Sequence, residues 1–177
     1  MTDNDPDLVL SSLSTGLPGV TSSLGSSMVE AACVCLSDVG HESGVTLFLE
    51  GDFEKQMKII FDGVDDQARR AWADEQFCTE FGAYCISLLL AVRLTPLTVI
   101  ERSRKGTGFD FWLGDGTEPL FTKKARMEIS GIRRGNPTSI KSRLRKKKIQ
   151  VTPTDGTLPA HISIVEFGKP KAIFEAK

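Results

Sequence analysis

Between Leu97 and Ile132 the chain reads LTVIERSRKGTGFDFWLGDGTEPLFTKKARMEISGI, three strand-like runs separated by Lys105-Gly106-Thr107-Gly108 and Gly114-Asp115-Gly116. Glycine-rich turns of this kind join neighbouring antiparallel strands, so the segment predicts a three-stranded meander. A strand repeats every two residues, and this assigns each side chain to a face. Phe109, Phe111 and Leu113 are expected on one face, with Asp110 and Trp112 on the other. In Ala125-Arg126-Met127-Glu128-Ile129-Ser130 the same rule turns Ala125, Met127 and Ile129 inward and Arg126, Glu128 and Ser130 outward. Asp110 and Glu128 are therefore expected side by side on adjacent strands. Two carboxylates held together repel, and a cation between them relieves the repulsion.

Around this unit the charge is unevenly divided. Residues 1–96 carry five Lys and Arg against 15 Asp and Glu, a balance of −10, while residues 97–177 carry 17 against eight, a balance of +9. The paired acids thus lie in a basic half, which suits a polyanion or an acidic covering surface. A length of 177 residues with 40% hydrophobic and 25% charged residues suits one domain with a substantial core. Tyr84 to Leu94, the most apolar segment, has about half the roughly 20 residues of a membrane span, and Arg93 interrupts it. The acidic start MTDNDPD is unlike a secretory signal, and a cytoplasmic protein is expected. Cys33, Cys35, Cys78 and Cys85 form no CxxC pair and read as buried free thiols. His41 and His161 are too isolated for a zinc site.

In chain order, residues 1–25 are rich in Ser, Thr, Gly, Asp and Pro and read as a flexible arm, with one domain over residues 26–177. A helix is expected from Ser27 to about Val39, with Ser27-Met28-Val29-Glu30 as its capping box. Gly44–Glu50 and Gln56–Asp62 read as a β-hairpin. Asp65-Asp66 is expected to open one long helix ending near Leu94, before Pro96. Phe77, Phe81, Tyr84 and Leu88 share a face of it, and Glu80 points within the same arc. A carboxylate there needs a partner or a ligand. Asn136 caps a third helix with Pro137 at its first position, and six basic residues fall between Lys141 and Lys148. A loop containing Pro153 and Pro159 precedes two strands, His161–Phe167 and Lys171–Glu175.

From Asp65 onward the order is helix, three strands, helix, strand, with Asp110 and Glu128 on the second and third strands. This resembles the restriction-endonuclease-like, or PD-(D/E)xK, nuclease superfamily over about residues 65–167. The resemblance implies an α+β (α/β) fold with that core, preceded here by a helix and a hairpin. It also implies Asp110, in GFD, and Glu128, in MEIS, as catalytic acids that bind Mg²⁺ and position water, with Glu80 as an assisting helix acid. Phe109 stands where the motif has proline. Ser130 stands where it has lysine, so the cation that helps deprotonate water and steadies the phosphorane is displaced. Lys124 or Arg126 on the same strand, or Lys141 on the next helix, is expected to supply it.

Two functions are compatible with these residues. One is a Mg²⁺-dependent nuclease, with Arg143, Arg145, Lys146, Lys147 and Lys148 holding nucleic-acid phosphates. The other keeps the fold without the chemistry, as an interaction subunit of a larger protein complex. The company of the superfamily implies a bacterial antiviral defence system in either case.

Overall fold

A computed structural model describes residues 7–115, 122–152, 156 and 158–177. Among these residues the centre is a mixed eight-stranded sheet whose strands lie in the order β1 (Asp7–Val9), β3 (Lys55–Ile60), β2 (Val45–Gly51), β8 (Lys171–Ala176), β7 (Ala160–Glu166), β6 (Lys123–Ile132), β5 (Phe111–Asp115), β4 (Leu97–Arg102). The expected meander forms β4 (Leu97–Arg102), β5 (Phe111–Asp115) and β6 (Lys123–Ile132), paired antiparallel. The turn expected at Gly114-Asp115-Gly116 runs into residues 116–121, outside the described residues. From β6 the chain crosses through helix α4 (Pro137–Val151) into β7 (Ala160–Glu166), parallel to β6, and returns antiparallel as β8 (Lys171–Ala176). Asn136 caps α4 through its side chain, which accepts from Ser139 N at 2.8 Å. Pro153 lies outside the described residues.

The hairpin β2 (Val45–Gly51) and β3 (Lys55–Ile60) extends the same sheet, with β2 parallel to β8. The N-terminal segment corrects the expectation of a flexible arm. From Asp7 it is folded: β1 (Asp7–Val9) pairs parallel with β3, and a 3-10 helix follows at Leu10–Thr15. Leu8, Leu10, Leu13 and Val20 are all buried. The polar residues between them serve as turn formers, with Ser12 Oγ donating to Val9 O at 2.6 Å, while the leucines supply the burial that offsets ordering.

Two further boundaries move for local reasons. Helix α1 spans Ser22–Asp38 and is capped by Thr21, whose hydroxyl accepts from Leu24 N. Ser27, expected as the cap, lies inside the helix and bonds back to Ser23 O at 3.0 Å, and Glu30 accepts instead from Trp72 Nε1 at 2.7 Å. The single helix expected from Asp65 is two: α2 (Asp66–Ala71) and α3 (Glu75–Leu94). Asp74 Oδ1 accepts from Phe77 N at 2.9 Å and so starts a second helix.

Helices α1 and α3 pack on each other, and α3 packs on the meander; the main apolar core lies here and includes Phe111, Leu113, Ala125, Met127 and Ile129. By length and apolar composition α3 could cross a membrane, yet most of it is buried inside this fold. Helix α4 covers the opposite face over β6 and β7, closing a smaller core of Ile140, Val151, Ala160, Ile162 and Ile164. Phe109 belongs to this second core, edge-on to Trp112 at 4.6 Å, and not to the face of Phe111 as expected. Regular strand geometry begins only at Phe111, so the alternation does not extend back to residue 109. All four cysteines are buried free thiols. His41 Nε2 lies 3.0 Å from Phe167 O, a structural contact.

Candidate functional site

Asp110 sits at the entrance to β5, where its amide donates to Met127 O at 2.8 Å and thereby anchors it to β6. Its Oδ2 accepts from Ile129 N at 2.8 Å. The Tyr84 hydroxyl on α3 lies 3.1 Å from Asp110 Oδ1 and 2.6 Å from Glu80 Oε1. One phenolic proton serves one acceptor fully, so Tyr84 ties Glu80 to Asp110 without neutralising both. Glu80 is exposed, whereas Tyr84 is buried and its phenol is held far above its ordinary range by that burial.

Glu128 is 1% exposed and projects from β6 beneath α4. Its Oε1 accepts from Lys147 Nζ and from Gln150 Nε2, the latter at 2.9 Å. Gln150 also bonds Lys147 Nζ at 3.1 Å and Gly108 O at 3.2 Å, so it ties the β4–β5 turn to the site. Gly108 has a φ of +85°, and a Cβ there would lie 2.9 Å from Gln150 O, so only glycine admits this approach. Glu128 Oε2 is buried and has no hydrogen-bond partner among the described residues.

Burial, followed by the charge of Asp110, raises the Glu128 carboxyl to about 7; Lys147 opposes the shift. Burial likewise raises Asp110, while the Ile129 amide and Lys147 oppose it. An acid raised from 4.5 to about 7 on folding adds stability at low pH that is lost as pH climbs through that interval. Glu128→Gln is thus expected to leave the metal-free protein more stable than wild type at pH 8, by on the order of 1–3 kcal/mol, and to give no gain at pH 4. Urea denaturation at the two pH values checks this, and a pH-independent difference would refute it.

A cavity of about 780 Å³ opens beside these acids. Tyr84 and Glu80 line one wall, Arg143 and Lys147 line the other, and β6 continues as the floor through Ile132 into Arg133 and Arg134. Gly131 allows α3 to close on this floor, since a Cβ there would lie 2.4 Å from Thr79 O. Arg143 Nη1 donates to Ser130 Oγ at 3.0 Å. The loop bearing Arg133 and Arg134 is fixed by buried Glu166, which accepts from the amides of Gly135, Gly168 and Lys169.

The structure therefore brings together Asp110, Glu128, Glu80, Arg143 and Lys147. Lys124 and Lys141 are exposed and do not line the cavity, which corrects the expectation that either replaces the missing lysine. Arg126 is 1% exposed and donates to Val151 O and Leu158 O, so it secures the end of α4 and the start of β7. The expected basic cluster is also divided. At 100° per residue Arg143 and Lys147 share the cavity flank of α4, while Arg145 and Lys148 fall on the other flank and Lys146 lies on the outer face. Lys148 pairs with Glu175. Tyr84, Gln150, Arg133 and Arg134 were not assigned to a site from the sequence, although the i, i+4 spacing of Glu80 and Tyr84 and of Arg143 and Lys147 carried a signal.

Among the described residues no group of three His, Cys, Asp or Glu side chains forms a ready metal cluster. The Asp110–Glu128 pair nevertheless fits Mg²⁺, which binds through one or two carboxylates and keeps waters or substrate phosphates as its other ligands. The unpartnered buried oxygen of Glu128 is a free ligand position of that kind. Comparison of the chain with protein-family models, with curated proteins and with solved structures yields no match.

Proposed function

We propose that this chain is a nuclease-like domain that hydrolyses phosphodiester bonds of nucleic acid with Mg²⁺, as its resemblance to the restriction-endonuclease-like superfamily implies. The observation that carries the reading is the Lys147 ammonium on Glu128, beside Asp110, at the edge of a cavity lined by arginines. A meander followed by a helical crossover into a parallel strand supports it as well.

Asp110 and Glu128 would hold the metal, which when bound neutralises the two acids, polarises the phosphoryl group and acidifies a water. Lys147 supplies, from α4, the positive charge on Glu128 that the motif otherwise takes from its strand lysine. It donates protons toward oxygens on which charge develops in the transition state. Gln150 holds the Lys147 side chain in place, and Tyr84 restrains Asp110. Arg143 and Arg134 attract the phosphates that flank the scissile one.

Millimolar Mg²⁺ or Mn²⁺ is expected to raise the melting temperature by binding the folded state, more at pH 8 than at pH 6 because Glu128 must lose its proton. Asp110→Asn should remove the rise, together with metal-dependent cleavage of labelled DNA and RNA. Equal responses of wild type and variant to metal would exclude Asp110 from the metal site. A second reading, an inactive interaction module, rests on the Arg143–Ser130 contact that fills the motif-lysine position. Wild type that cleaves neither DNA nor RNA in Mg²⁺ or Mn²⁺ would select it.

A further inference from the structure

The two helices that line the cavity carry opposite charge: Arg143 and Lys147 stand on the α4 wall, while α3 presents Glu75, Gln76 and Glu80 as an acidic wall. Arg133 and Arg134 reach toward α3 and α1, where Arg133 Nε donates to Thr79 Oγ1 at 3.0 Å and Arg134 Nη2 to Asp38 O at 3.1 Å. A phosphate backbone is drawn to the α4 wall. A duplex has a second backbone, which would be carried toward Glu75 and Glu80. The cavity volume, about 780 Å³, also lies within the range of pockets for small ligands, about 300–1,000 Å³. That is room for a short stretch of one strand.

The acidic wall suits bases where it repels phosphates, because exocyclic amino groups donate to carboxylates and side-chain amides. Beside it Phe77 is 50% exposed. Its ring is stacked on Trp72, with centroids 5.7 Å apart and planes 21° apart, and lies 4.5 Å from Phe81. At 100° per residue Phe77 borders the arc of α3 that carries Glu80 and Tyr84 into the cavity. A rigid, solvent-facing ring in this place is a platform for unpaired bases.

We infer that the site takes single-stranded nucleic acid, with phosphates along Arg143 and Lys147 and bases turned toward α3, one of them stacked on Phe77. The inference rests on the nuclease reading of the Asp110–Glu128 pair and specifies its substrate.

Fluorescence anisotropy of the full chain in EDTA, with a single-stranded oligonucleotide of about 12 nucleotides and a duplex of the same sequence, tests it. The single strand should bind at least about tenfold more tightly. Phe77→Leu, which retains apolar bulk but no ring face, should weaken single-strand binding about tenfold and leave duplex binding unchanged. Glu75→Lys should improve duplex binding by removing the repulsive wall. Equal or tighter duplex binding, with no effect of Phe77→Leu, would overturn the inference; duplex cleavage dependent on Asp110 would in that case leave the nuclease reading standing. Absence of binding to either form, together with absence of cleavage, would remove both.

Discussion

Lys147→Met is expected to lower metal-dependent phosphodiester cleavage by about 100- to 1,000-fold, the usual cost of deleting one group that stabilises transition-state charge. Lys147 is the cation in contact with Glu128, and its side chain is largely covered by the cavity wall. Without it, Glu128 loses the charge that opposes burial and Asp110, so its carboxyl should rise further. The remaining activity should accordingly move to higher pH, which a purely structural role would not cause. Lys124→Ala and Lys141→Ala, on exposed side chains outside the cavity, should retain wild-type rates. Cleavage by Lys147→Met at the wild-type rate, with loss of cleavage in either other variant, would return the catalytic cation to the positions first expected.

Arg126→Met is expected to cost about 3 kcal/mol of stability, since charged hydrogen bonds to buried carbonyls are worth about 1.5–3 kcal/mol each. The guanidinium donates from Nε to Leu158 O at 2.9 Å and from Nη1 to Val151 O at 3.0 Å, and these acceptors flank the α4–β7 connection. For a chain of this length the corresponding fall in melting temperature is about 10 °C. Because α4 carries Lys147 and Gln150, the variant should also bind metal less tightly in proportion to its lost order. A variant as stable as wild type that has lost cleavage would mean that Arg126 serves the reaction and not the fold.

These two residues show why part of the site was legible and part was not. Asp110 and Glu128 could be placed together from spacing alone, because antiparallel pairing and a two-residue period fix neighbours across a meander. Arg126 and Lys147 look alike in sequence, as basic residues on elements that follow Asp110. They differ only in what covers them: Arg126 lies under the end of α4, whereas Lys147 points along the flank of that helix into the cavity. The run from Lys141 to Lys148 read as one phosphate-binding surface, and helical rotation distributes it over different sides of α4.

What the chain determines locally is most of its strands, its helix starts at Asn136 and Asp65, the turn at Gly106 and Gly108 and the neighbouring acids of the meander, since each depends on residues a few positions apart. The N-terminal segment shows the opposite case, because its leucines gain their burial only from a sheet and helices formed far along the chain. Tertiary structure alone decided that the hairpin joins the central sheet, that Tyr84 links Glu80 to Asp110, and that Lys147 stands on Glu128. These outcomes depend on how α3 and α4 pack across two faces of one sheet, and packing between distant segments leaves no periodic trace in the sequence.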